Sequence, residues 1–260
     1  MLTAKEIKKF ITEGYVRIPD AFPAETARQC RQLLWQATGC DPNNRSGWTR
    51  PVVRIGEMAM KPFADAVNTS VLHQAFDQLV GADNWLPRQS LGTFPIRFPS
   101  PAAANDTGWH VDASFPGKDP MNYMEWRINV YSRGRGLLML FLFSDTRDND
   151  APTRIRLGSH LDVARLLAPY KQDGLSFMEV AAALDSLPVR NETLATGNAG
   201  TVYLCHPFLV HGAQDHRGNE PKFMAQPPLL TRHDFSLSPD LPEPPVAAAI
   251  QLALQNPPGS

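Results

Sequence analysis

Residues 137–143 of the run "GLLMLFLFSD" are apolar without a break. Successive side chains of a strand point to opposite faces, so a run without alternation needs apolar cover on both sides. That makes it a central strand with a layer packed on each face, and it is far too short to cross a bilayer. From about residue 90 onward its neighbours are of one kind. "SLGTFPIRF", "EWRINVYS", "GTVYLCHPFLVHG" and "KFMAQPPLL" are short strand-like runs separated by Gly, Pro, Asn or Asp. They predict a β-sandwich or barrel with helices packed outside it, a mainly β fold with flanking helices.

The first third reads differently. Residues 3–13 form an amphipathic pattern with Thr3 as N-cap, Glu6 three positions on and Gly14 as the stop. "YVRIPDAF" follows as a short strand broken at Pro19, residues 23–37 repeat apolar positions at helical spacing, and a third helix is expected over 60–80. Further short helices are expected at 160–170 and 175–187. We read residues 1–260 as one domain: a mainly helical buttress over 1–88, the β core over 89–232 and a Pro-rich tail over 233–260. The tail carries a short helical stretch, "VAAAIQLALQ", that can pack on its own domain or on a partner.

Hydrophobic residues make up 43%, charged ones 20%, and the net charge is -1, a balance without the basic excess of a nucleic-acid binder. The N-terminus lacks a signal-type apolar centre, so the chain reads as cytoplasmic, with no membrane or nucleic-acid partner and an open oligomeric state. Three cysteines without a CxxC pair argue against a disulfide framework and a thiolate zinc site.

The chemistry concentrates in "DTGWHVDASFPG". His110 and Asp112 stand two apart, and in a strand they project to the same side and can converge on one point. An imidazole with a carboxylate suits divalent iron, whereas a His–Asp hydrogen bond in a turn is the alternative reading. A third ligand has to come from elsewhere, and "TVYLCHPFLVHGAQDHRG" offers His206, His211 and His216. His211 ends an apolar run before Gly212 and is the best candidate. His206, between Cys205 and Pro207, reads as a structural hydrogen-bonder, and His216 with Arg217 as a surface turn.

The order of these segments resembles the phytanoyl-CoA dioxygenase-like branch of the iron(II)/2-oxoglutarate-dependent oxygenases. The matching stretches are "LTAKEIKKFITEGYVRIPDAF", "GWHVDAS", "APTRIRLGSH" and "GTVYLCHPFLVHGAQDHRGNEPKFMAQPPL", over about residues 3–230. The resemblance implies a double-stranded β-helix (jelly-roll, cupin-type) core. It implies iron(II) held by His110, Asp112 and His211, with 2-oxoglutarate and O2 as cosubstrates and a small organic molecule hydroxylated with release of succinate and carbon dioxide. Because Asp112 is retained, oxygenation is favoured over halogenation. The family holds the far carboxylate of 2-oxoglutarate with a basic residue, typically arginine, about eleven positions after the distal histidine. Here that residue is Lys222, which lacks the planar fork of arginine, and Arg217 is the substitute. A hydroxyl residue common two positions after the histidine is replaced by Ala213. These two departures support an alternative: a cupin-type binding module that keeps the metal site without 2-oxoglutarate turnover.

Around the mouth, Arg127, Arg133 and Arg135 are candidate substrate contacts, with pairing to surface carboxylates as the competing reading. Arg154 and Arg156 share a strand face and either reach the pocket or pair with Asp145 or Asp148. Trp109 is expected to point away from the metal into packing, and Cys205 to be a buried, unreactive thiol.

Overall fold

The computed structural model describes residues 1–238 and 243–255. Its first half runs α1 (Ala4–Glu13), β1 (Tyr15–Ile18), α2 (Ala24–Thr38), β2 (Val52–Ile55), α3 (Lys61–Val67), α4 (Ser70–Val80), β3 (Phe94–Arg97), β4 (Arg127–Ile128) and β5 (Leu137–Leu142). The second half adds β6 (Arg154–Arg156), α5 (Ser159–Leu167), β7 (Leu175–Ser176), α6 (Phe177–Ala183), β8 (Glu192–Leu194) and β9 (Val202–Cys205). Then come β10 (His211–Gly212), β11 (Met224–Ala225), β12 (Pro228–Leu229) and α7 (Pro245–Gln255).

The larger sheet is ordered β1-β9-β5-β11, with β12 also on β5, and the smaller β10-β6-β8. As the apolar run requires, β5 is covered on both sides. Leu138, Leu140 and Leu142 meet Tyr203, Met224 and, from the smaller sheet, Ile155. Leu137, Met139 and Phe141 turn the other way, toward Phe10, Leu34, Phe63 and Phe76 of α1 to α4. One strand is thus the shared wall of the inter-sheet core and the helical layer. A fully buried side chain of this size contributes about 1.5–3 kcal/mol, so this strand anchors both layers.

Local signals explain most element ends. Thr3 and Glu6 form the expected capping box, and Gly14 closes α1 at φ 92°. A side chain at Gly14 would also come 2.6 Å from the His160 ring. The single helix expected over 60–80 is two, α3 and α4, because Asn68 turns its side chain back to the Ala64 carbonyl and ends the first. The N-terminal third does more than buttress: β1 adds an edge strand to the large sheet, and β2, unforeseen in the sequence, pairs with β3. Strand β8 is likewise unforeseen, since "ETL" is too short and polar to show a period. The tail helix is present as α7, and its buried face packs on α5, α1 and α4. The rest of the tail expectation, residues 239–242 and 256–260, lies outside the described residues. Among the described residues no helix is long and apolar enough to cross a membrane.

Candidate metal centre and its cavity

Backbone pairing creates the centre. His110 and His211 are partners across one antiparallel bridge, with N–H to O distances of 2.9 and 3.0 Å in the two directions. The bridge adds the His-x-Asp segment to the edge of the smaller sheet, beside β10, and places the two rings 4.3 Å apart. Asp112, two residues on, brings its Oδ1 to 3.7 Å from His110 Nε2 and 3.8 Å from His211 Nε2. One candidate ligand atom from each of the three lies within 4.8 Å of the others. Ser159, in the "LGSH" segment, steadies the approach: its Oγ accepts the Val210 N–H at 3.0 Å, next to His211.

The ring orientations suit a metal. Each Nδ1 faces a backbone carbonyl, His110 that of Gly108 at 3.1 Å and His211 that of Leu209 at 3.0 Å. A carbonyl only accepts, so each Nδ1 carries the proton and each Nε2 keeps its lone pair, the tautomer in which metal-ligating histidines are held. Burial, then the neighbouring His110, pushes the His211 pKa down to about 4, which keeps it neutral. Asp112 Oδ2 accepts from Arg135 Nη1 at 2.8 Å, which leaves Oδ1 toward the imidazoles. Burial alone would raise this carboxyl; the Arg135 guanidinium and the two imidazoles override it and hold the pKa at about 2. Two imidazoles and one charged carboxylate on a common face are the donor set of a non-haem iron(II) site with open positions.

His110 and Asp112 line a cavity of about 650 Å³, with His211 buried behind them. Four arginines line it: Arg54, Arg88, Arg97 and Arg135. Tyr123 stands in the wall with its hydroxyl on the Ala113 N–H at 3.2 Å, and burial plus the Asp112 charge push its pKa up to about 12. Gln226 is also in the wall and places its amide nitrogen 3.0 Å from His211 Nε2.

The basic residues expected at the cosubstrate and substrate are mostly elsewhere. Lys222 is fully buried, donates from Nζ to the Ala151 carbonyl at 2.7 Å and does not line the cavity. Burial, followed by the charge of Arg97, drives its pKa well below the ordinary lysine value. Arg217 is exposed, its backbone N–H donates to the Asn149 carbonyl, and it does not line the cavity. Arg127 donates to the carbonyls of Asp173 and Gly174, away from the cavity, and Arg133 lies over the Phe115 ring. Of the three candidate substrate arginines only Arg135 reaches the wall. Arg154 and Arg156 neither reach it nor pair with Asp145 or Asp148; both guanidiniums sit 4.3 Å from the Trp109 ring. His216 is buried, not exposed, because its Nδ1 accepts the Gly218 N–H. His206 is a buried hydrogen-bonder and Cys205 a buried thiol with a raised pKa, as expected of them.

Arg97, Arg88 and Arg54 did not stand out in the sequence. A signal for Arg97 exists only in three dimensions: it is the backbone partner of Lys222, so the two basic side chains are cross-strand neighbours. Arg97 points into the cavity with its side chain 4% exposed, bonded to Asp106 at 2.9 Å.

No protein-family model matches the chain, and no curated protein matches it in sequence. Solved structures do match its fold. SnoK, a non-heme alpha ketoglutarate dependent carbocyclase from nogalamycin biosynthesis, superposes with a TM-score of 0.58 at 14% identity, over 88% of this chain and 84% of that one. HygX from Streptomyces hygroscopicus, solved with nickel and 2-oxoglutarate bound, gives a TM-score of 0.56 at 16% identity, over 87% and 86%. EctD from S. alaskensis, solved with 2-oxoglutarate and 5-hydroxyectoine, gives 0.55 at 17% identity, over 88% and 75%. The fold is therefore the double-stranded β-helix of the jelly-roll, cupin type with helices flanking its larger sheet.

Proposed function

We propose that this chain is a non-haem iron(II)- and 2-oxoglutarate-dependent dioxygenase that hydroxylates a C–H bond of a small organic molecule, with release of succinate and carbon dioxide. The observation that carries the reading is the His110–Asp112–His211 face, with both Nε2 atoms and Asp112 Oδ1 turned to one point beside the cavity. The order of the sequence segments supports placing it with the phytanoyl-CoA dioxygenase-like enzymes.

Iron, 2-oxoglutarate and dioxygen supply the oxidising chemistry when bound. The chain supplies position. His110 and His211 would hold the metal through Nε2, with the Gly108 and Leu209 carbonyls fixing their tautomers. Arg135 occupies Asp112 Oδ2, so Oδ1 is the oxygen that would face the metal. For the far carboxylate of the cosubstrate, Arg97 replaces Lys222. Arg97 is in the wall, and its Nη1 makes a long 3.4 Å contact to the Gln214 carbonyl. Its planar fork suits a carboxylate, whereas the Lys222 amine is turned toward Ala151. With Arg97 in that place the binding-module alternative loses its main support.

The test is an anaerobic titration of the iron(II)-loaded protein with 2-oxoglutarate, read by the weak visible charge-transfer band of the chelate. A saturable band is expected. Arg97→Met should raise the half-saturating concentration about tenfold or more, the value of a charge-assisted hydrogen bond of about 1.5–3 kcal/mol. Lys222→Met should move it by less than about threefold. Iron binding without a band would end the oxygenase reading, and a shift with Lys222→Met alone would return the carboxylate to Lys222.

A further inference from the structure

Resting on that reading, the cavity also says what kind of molecule the enzyme oxidises. Charge in its wall is uneven. Arg97 and Arg54 share Asp106, and Arg135 is neutralised by Asp112. Arg88 is the exception. Its side chain is 13% exposed, and its guanidinium is oriented by two neutral groups, the Ser90 carbonyl at 3.2 Å from Nε and the Pro228 carbonyl at 2.9 Å from Nη1. Among the described residues its one carboxylate within 4.0 Å is Glu57, at 3.6 Å from Nη2. That is beyond a good hydrogen bond, and the Glu57 side chain is 64% exposed while its Oε1 also accepts from Ser90 Oγ. Backbone carbonyls aim a guanidinium without cancelling its charge. A largely buried cation left in that condition is costly unless an anion completes it.

With the cosubstrate carboxylate on Arg97, we propose that Arg88 is a specificity-determining residue that binds the oxyanion of an acidic substrate, a small molecule bearing a carboxylate or a phosphate-type group. The guanidinium fork accepts either group through paired N–H donors. Arg135 stands in the same wall, but Asp112 already balances its charge, so Arg88 is the cation that an incoming anion completes. A cavity of about 650 Å³ admits such a molecule beside the cosubstrate.

The experiment is calorimetric titration, without oxygen, of the iron(II)-loaded, 2-oxoglutarate-saturated protein with three probes of similar shape: benzoate, phenylphosphonate and benzamide. Benzoate or phenylphosphonate should bind at least about tenfold more tightly than benzamide, and the tighter of the two identifies the oxyanion. Arg88→Met should abolish that preference and Arg88→Lys should keep part of it, while the 2-oxoglutarate band saturates as in the parent within about twofold. Equal affinity for benzamide and the anions in the parent protein would overturn the inference without any variant. So would an unchanged preference in Arg88→Met, or loss of the 2-oxoglutarate band there, which would make Arg88 the cosubstrate anchor instead. Absence of the band in the parent protein is a separate failure, that of the oxygenase reading.

Discussion

Two pairs of histidine rings stand at nearly the same separation, 4.3 Å for His110 and His211 and 4.8 Å for His160 and His206. Among the described residues only the first pair joins a carboxylate in a candidate metal cluster, and the difference lies in where the nitrogen lone pairs point. In the first pair the protons go to backbone carbonyls, and both Nε2 atoms face a carboxylate, with the Gln226 amide also meeting that of His211. In the second pair His206 spends both nitrogens on the backbone, Nδ1 on the Phe208 N–H and Nε2 on the Val246 carbonyl. His160 gives Nε2 to the Ile11 carbonyl, and its Nδ1 has no partner among the described residues. The nearby carboxylate, Asp162, is occupied by Arg165 and Arg190. Ring proximity therefore says little by itself. A carboxylate oxygen turned to the side of the lone pairs is what makes two imidazoles a candidate metal centre.

The contrast can be broken most forcefully at Asp112. Asp112→Ala should lower metal affinity by more than about a hundredfold, beyond the 10–100-fold typical of losing an outer-shell group, and should end succinate formation. It should also destabilise the protein by about 3–5 kcal/mol, because Arg135 is then a buried charge without its partner. Adding Arg135→Met to that variant should recover most of the stability and none of the metal binding. Denaturation and metal-competition curves on the two proteins separate the effects, and joint recovery of both would show that Asp112 is not a ligand.

A smaller effect sharpens the same point. Arg135→Met alone leaves all three ligands, and frees Asp112 Oδ2 to compete for the metal or for a proton. Metal affinity should fall about 10- to 100-fold. An unchanged affinity would remove Arg135 from the description of the centre.

The smallest prediction concerns the second pair. Burial pushes the His160 pKa from its ordinary 6.5 down to about 4, so on acidification the unfolded chain takes up this proton first. Stability from this group is full above about pH 6.5 and is lost as pH falls toward 4, to a total of about 3 kcal/mol. Denaturant unfolding at pH 7 and pH 4.5 should show a drop that shrinks by about 2 kcal/mol in His160→Gln, with metal affinity unaltered. An equal drop in both proteins would mean that other groups control acid stability.

The convergence of His110, Asp112 and His211 was legible in the sequence because its determinants are local: i, i+2 spacing sets His110 and Asp112 on one side, and the end of an apolar run marks His211. The doubly apolar run likewise announced β5 as a wall between two layers. What could not be read is which basic side chain turns inward. Spacing put Lys222 at the expected distance after His211, but the direction of its amine depends on the Ala151 carbonyl, far away in the chain. Arg97 gains its place only through pairing of β3 with residue 222, and Arg88 through a loop folded back onto Pro228. The split of the 60–80 helix was lost for a similar reason, since one Asn side chain outweighed an otherwise helical pattern. The exposed reading of His216 failed because polar neighbours in sequence do not reveal a hydrogen bond to Gly218.

The bridge between His110 and His211 has a bearing on how such a protein comes into being. It closes a loop of about a hundred residues, whose ends seldom meet before the intervening strands have ordered them. During synthesis, no emerging fragment that stops short of residue 211 owns a complete binding face.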